Sequence, residues 1–253
     1  MNAVTEEQGD RIAKVIARAG YCSRRDAEKL IAEGRVALNG DKVTTPAIRI
    51  GENDVIAIDG QPLAEKEPAR LWRYHKPAGL VTTHRDEKGR PTVFDALPKE
   101  LPRVISVGRL DLTSEGLLLL TNDGAVARRL ELPATGWLRR YKVRVHGEVD
   151  PDRLPALEKG VTIEGVAYGP IRAGLERQQG SNAWIALALR EGKNREVRRV
   201  LEHLGLPVTR LIRLSFGPFQ LGNLARGEVA EVPKKVLAEQ LGTAGRADAD
   251  RRR

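Results

Sequence analysis

The segment VGRLDLTSEGLLLLTNDG, residues 107–124, places Arg109 and Asp111 directly before four consecutive leucines. A turn tolerates aspartate there, but Asn would turn the chain equally well. Holding a carboxylate beside a dry core costs free energy unless the charge is used. Asp111 is therefore the first candidate for chemistry. Glu115 lies four residues on, and two carboxylates flanking a sugar suit glycosidic hydrolysis. Gly116 and the leucine run argue against a helix through this segment, so that spacing carries no geometry. One committed carboxylate remains.

Two further residues give it company. In RRYKVRVHGEV, Tyr141, Val143 and Val145 alternate with Lys142, Arg144 and His146, the period of a half-buried strand. Tyr141 thus brings a polar tip to an apolar face. In EGKNREVRRVLEHLG, Val197, Val200, Leu201 and Leu204 form an apolar stripe if the run is helical. Arg198 then falls about 100° from Val197, on the stripe's border, from which it can lean into a cleft and pair with a carboxylate. Arg195 and Arg199 point outward. Each residue also has a plainer explanation: a turn aspartate, a core tyrosine, a snorkelling arginine.

Other chemistries lack their residues. EGKN has Gly-Lys but no Ser or Thr after it and no phosphate-loop glycine before it. His75, His84, His146 and His203 show no metal-ligand spacing. Cys22 is the one cysteine and has no nearby histidine, which excludes an intrachain disulfide and suits a reducing compartment. Neither a metal nor an organic cofactor is expected.

The elements that must position these groups fall into two domains. Residues 1–10 are expected to be disordered. From Arg11, Ile12, Val15, Ile16 and Ala19 recur at helical spacing, and Gly20 ends the run. Ser23 caps a second helix closed by Gly34. Asn39-Gly40 between two short β-type runs signals a hairpin, and NDVIAIDG adds a strand. Residues 11–60 thus make a compact ααβ unit, and 61–70, with two prolines and mixed charges, a linker. Residues 71–241 mix short β-runs with irregularly placed helices, which predicts an α+β domain with a mostly antiparallel sheet. The basic tail 242–253 is expected to be disordered. The formal charge of +9 calls for a polyanionic partner. No apolar run approaches a membrane span and no signal-peptide layout opens the chain. Nucleic acid is therefore preferred to membrane, and the cytoplasm to export.

The run RIAKVIARAGYCSRRDAEKLIAEGRVALNG, with the later VIAIDG, resembles the S4 RNA-binding domain. That resemblance implies contact with structured RNA, with Arg11, Lys14, Arg18, Arg24, Arg25 and Lys29 as the expected phosphate contacts. LWRYHKPAGLVTTHRDEKGRPTVFDALP, SVGRLDLTSEGLLLLTNDG, RRYKVRVHG and REGKNREVRRVLEHLGLPVTRLIRLSFGPFQLGNLARGE look like the sequence blocks of a pseudouridine synthase. The branch is that of the enzymes acting on ribosomal RNA that carry an S4 domain in front, type A for the small ribosomal particle and types B, E and F for the large one. The blocks read closest to the type B enzymes. The resemblance implies that Asp111 is the catalytic aspartate, Tyr141 the tyrosine beside the target base and Arg198 the basic partner of the aspartate. Lys76, Arg109, Arg195 and Arg199 are the expected substrate contacts. It implies isomerisation of a uridine in large-subunit (23S) ribosomal RNA, by a monomer. The other readings are a small-subunit (16S) enzyme, a non-catalytic ribosome-assembly protein of the same fold, and, third, a DNA-binding regulator, which would leave residues 71–232 unexplained.

Overall fold

The computed structural model describes residues 9–250, except for the side chains of residues 134 and 243–250. The described residues divide into two compact units, one built on residues 9–69 with 102–104 and 122–124, the other on the rest of the described chain.

In the first unit β1 (Asp10–Arg11) leads into α1 (Ile12–Arg18) and α2 (Arg24–Ala32). Ser23 caps α2 as its position predicts, its Oγ accepting from the Asp26 amide at 3.1 Å. β2 (Val36–Leu38) and β3 (Asp41–Lys42) follow, joined by Asn39 and Gly40 at φ +53° and +94°. This left-handed pair gives the turn a twist that matches its strands. β4 (Arg49–Ile50) returns to β1. β5 (Ile56–Ile58) turns through Asp59-Gly60 into β6 (Gln61–Pro62). The sheet β3-β2-β5-β6 therefore extends past residue 60 into the stretch expected to be linker. Ile12, Ile16, Ala27, Ile31, Val36 and Ile58 close its core.

The second unit is organised by a nine-stranded sheet. Its strands are β7 (Leu71–Lys76), β8 (Ile105–Val107), β9 (Ser114–Thr121), β10 (Arg139–His146), β13 (Ile171–Gln179), β14 (Asn182–Leu189), β15 (Val208–Phe216), β16 (Phe219–Gln220) and β17 (Val229–Glu231). A separate hairpin, β11 (Val161–Ile163) with β12 (Val166–Tyr168), lies outside it. The path runs β13-β14-β10-β15-β9-β7-β17, with β16 on β15 and β8 on β9. Only β15 and β9 pair in parallel, so the mostly antiparallel expectation holds. The leucine run is the interior of β9, and Leu117 to Leu120 are all 0% exposed, as expected of a strand covered on both faces.

Among the described residues the α-helices of this unit are α3 (Gly124–Glu131), α4 (Glu196–His203) and α5 (Lys234–Asp250). Residues Pro151–Lys159 are a 3-10 helix capped by Asp150. Pro155 inside it has no amide to donate. α5 carries helical backbone through residue 250, where a disordered tail was expected from 242. Residues 1–8 and 251–253, at the two ends expected to be disordered, lie outside the described residues.

Candidate active site

Asp111 stands on the six-residue segment between β8 and β9, and side chains from four directions hold that segment by its backbone. Lys76, the last residue of β7, is 0% exposed. Its ammonium donates to the carbonyls of Pro77 (3.0 Å), Asp111 (3.1 Å) and Ser114 (2.9 Å), with Leu112 at 3.5 Å. Thr82 Oγ1 donates to the Leu110 carbonyl at 2.8 Å. Glu131, on α3, accepts from the Gly108 amide at 2.6 Å, and Arg198 Nη2 donates to the Thr113 carbonyl at 3.2 Å. A loop next to a dry strand must satisfy its peptide groups without water. This one does so with side chains far away in sequence, so its shape is set by the domain rather than by its own residues.

Lys76 was expected to touch substrate. It lies beneath the loop instead and does not line the cleft. Burial pulls its pKa down to about 8, against the opposing pull of the Asp111 and Glu115 carboxylates.

The cleft in front of Asp111 holds about 630 Å³, within the range of small-ligand sites. Leu110, Tyr141, Leu189, Val197, Leu211 and Phe216 make its apolar wall, and Arg109, Arg139, Lys193 and Arg195 bring cations to it. Tyr141 is 9% exposed and sits opposite Arg213 across β10 and β15. Arg213 is buried and donates to the Leu117 carbonyl at 2.7 Å. Burial lowers its pKa, while the neighbouring Tyr141 favours the charged form.

The arginines divide differently from expectation. Arg198 does lie on the inner border of α4, 6% exposed. Its guanidinium, however, is spent on the carbonyls of Thr113 and Val208 (3.3 Å). The cation within 4.0 Å of the Asp111 carboxylate is Arg195. That residue caps α4 in the left-handed region, φ +52°, so helical geometry does not govern its direction. Arg198 still feels Asp111: burial lowers its pKa first, and the carboxylate pulls it back up. Arg199 points away from the cleft to Tyr168. Arg109 lines the cleft, exposed. Glu115 has no part in it, for Arg210 (2.8 and 3.0 Å) and Arg226 (3.1 Å) engage its carboxylate. The glycosidase-like pair is thereby dismantled.

Arg139 and Arg213 were missed. Both were legible in principle, because each shares the inward parity of an apolar strand neighbour, Tyr141 and Leu211. An arginine at a core position of a strand is a signal in itself.

The two proximities predict different losses. Arg198→Met leaves two carbonyls without their donor, at about 1–3 kcal/mol each if unsatisfied, so melting temperature and turnover fall together. Arg195→Met removes a half-exposed cation and is expected to lower turnover with melting nearly unchanged. Thermal melts beside single-turnover rates separate the two. If Arg195→Met melted as early as Arg198→Met, the division of labour would be wrong.

Known proteins with this architecture identify the chain. A family model for RNA pseudouridylate synthases matches residues 70–203, and one for the S4 domain matches residues 10–56. An RNA pseudouridine synthase of Rickettsia bellii is 50% identical over 226 residues, covering 89% of this chain and 98% of the relative. The ribosomal large subunit pseudouridine synthase B of Pseudomonas aeruginosa is 42% identical over 247 residues, covering 92% of this chain and 63% of the relative. A crystal structure of a pseudouridylate synthase superposes with a TM-score of 0.62 at 28% identity, over 90% of this chain and 98% of that one. The fold and cleft are those of an RNA-modifying isomerase with an S4 domain in front. The chain belongs to the RNA pseudouridine synthase family.

Proposed function

We propose that this protein isomerises one uridine of large-subunit ribosomal RNA to pseudouridine, acting as a monomer. The observation that carries the reading is the half-exposed Asp111 carboxylate, on a loop clamped by its backbone at a nucleoside-sized cleft that also presents Tyr141. Isomerisation breaks the C1′–N1 bond, turns the bound base and makes a C1′–C5 bond. Asp111 attacks the sugar or base, or removes a sugar proton. Tyr141 packs on the uracil, which must leave its helix to be reached. The leucine strand behind the loop keeps water from the cleaved sugar. Arg198 holds the loop and adds positive charge, and Arg195 supplies the nearer cation. The names of the Pseudomonas and Yersinia pestis relatives, both ribosomal large subunit pseudouridine synthase B, support the choice of RNA. Mapping pseudouridine in ribosomal RNA from cells with and without this protein tests it. The site that disappears should lie in the large subunit; one in the small subunit, or none, would overturn the assignment.

The S4 domain is proposed to grip phosphate through Arg11, Arg24, Arg25 and Lys29, all exposed. Lys14 and Arg18 are already engaged by Asp10, Arg18 at 2.6 Å. Neutralising the four exposed cations is expected to reduce the salt dependence of RNA affinity by about three to four log–log units. An unchanged slope in a filter-binding salt series would make them an ordinary solvated face.

A further inference from the structure

The sheet of the second unit is covered unequally. On one face of the β13-β14-β10-β15 end, Val143, Val145, Ile185 and Leu187 pack with Leu154, Leu157, Val200 and Leu201 into a common core. On the other face every outward residue of β10 is basic or histidine: Arg140, Lys142, Arg144, His146. On β14 the partners of Arg140 and Lys142 are small, while Arg144 stands opposite Trp184 and His146 opposite Asn182. Ala188 lies between Arg140 and Arg172, and Ala186 between Lys142 and Gly174. A Cβ added at Gly174 would meet nothing within 4 Å, so the space above this floor is open.

We propose that this face is a second RNA-contact surface, separate from the catalytic cleft, that takes the phosphate backbone of a helical segment flanking the target. Three observations carry it. Arg140, Arg144 and Arg172 are exposed, and among the described residues none has a carboxylate within ion-pair distance; Lys142 alone of the four has one, Glu176 at 2.9 Å. An ordinary solvated sheet gains from opposite charges across strands and loses from like charges placed opposite. Here Arg144 stands directly opposite Arg210, whose own guanidinium turns to Glu115. Such a face costs stability in isolation and recovers it against a polyanion.

The spacing also fits. Four residues along β10 separate Arg140 from Arg144 by about 13 Å, and Arg172 lies two strands from Arg140, about 10 Å. This is a shallow basic platform with a low floor, suited to duplex RNA, which is bound by shape and phosphate rather than by base edges. A protein partner fits less well, because interface cores are depleted in charge. Two large apolar groups share the face, both half-buried: Ile212, in register with Lys142, and Trp184, with the Lys142 ammonium 5.3 Å from its ring centre.

The inference rests on the reading of the substrate as structured ribosomal RNA, and the test keeps the two apart. Arg140→Gln/Arg144→Gln/Arg172→Gln in the full chain is compared with wild type on two probes: a long large-subunit rRNA transcript and a short hairpin carrying only the target loop. A control neutralises Lys99, Arg153 and Lys159, exposed elsewhere on the same unit. The triple variant is expected to bind the transcript at least tenfold more weakly, with a salt slope smaller by about two to three units, while turnover on the hairpin is unchanged. An equal loss in the control variant, or an unchanged slope in the triple variant, overturns the proposal. So does a wild-type dimer that the triple variant dissolves, which would make the face a contact between two copies. If wild type isomerised neither probe, the functional reading would fail, yet transcript affinity would still decide the surface.

Discussion

Asp111→Asn is expected to leave RNA affinity and melting temperature at wild-type values while slowing pseudouridine formation at least about a thousandfold. The separation follows from how the residue is held. Its side chain is 33% exposed, and among the described residues its only ion-pair contact is Arg195, at 4.0 Å. The loop is anchored instead through the carbonyls of Leu110, Asp111, Thr113 and Ser114, which the substitution does not touch. The amide keeps the shape and removes only the nucleophile or base. Single-turnover tritium release from uridine-labelled RNA, beside a thermal melt, reads both halves. A rate within tenfold of wild type would remove Asp111 from the chemistry.

The second large effect belongs to Lys76. Lys76→Met keeps the apolar stem and deletes a buried ammonium that serves the carbonyls of Pro77, Asp111 and Ser114. The Asp111 carbonyl retains the Ser114 amide at 3.0 Å, so part of the network survives. The expected loss is about 3 kcal/mol, since each carbonyl left dry costs about 1–3 and removing the charge relieves some burial. Turnover should fall with it, because the loop that aims Asp111 loosens. The pH dependence gives a second signature. With the folded pKa near 8 and the unfolded value near 10.4, the unfolded chain binds more protons between those values. Raising pH through that window therefore adds stability from this residue. Activity should move the other way, since a neutral amine holds the loop with fewer donors and no charge. Wild type is expected to show an alkaline limb near pH 8 while its melting temperature does not fall through Lys76. A turnover profile flat to pH 9.5, or one whose limb persists in Lys76→Met, would end the argument.

What the sequence determined by itself was what depends on near neighbours. The cap at Ser23, the left-handed turn at Asn39-Gly40, the alternation of β10 and the stripe of α4 are each written within a few residues, and each formed where its pattern placed it. The same holds for Asp111 at the mouth of a buried strand, because a charge beside four leucines is a local anomaly. The tertiary structure alone decided which groups surround that charge. Lys76 precedes Asp111 by 35 positions and Arg198 follows it by 87, and nothing in either segment says that one lies beneath the loop and the other clamps its far end. A helical wheel put Arg198 on the border of the apolar stripe and turned Arg195 outward, and the family resemblance paired Arg198 with the aspartate. The wheel holds only inside a helix, and Arg195, at the cap with φ +52°, lies just outside it. Sequence periodicity reports which face a side chain occupies. The carbonyl or carboxylate that its charge meets there is fixed by strands and loops that come together only when the sheet closes.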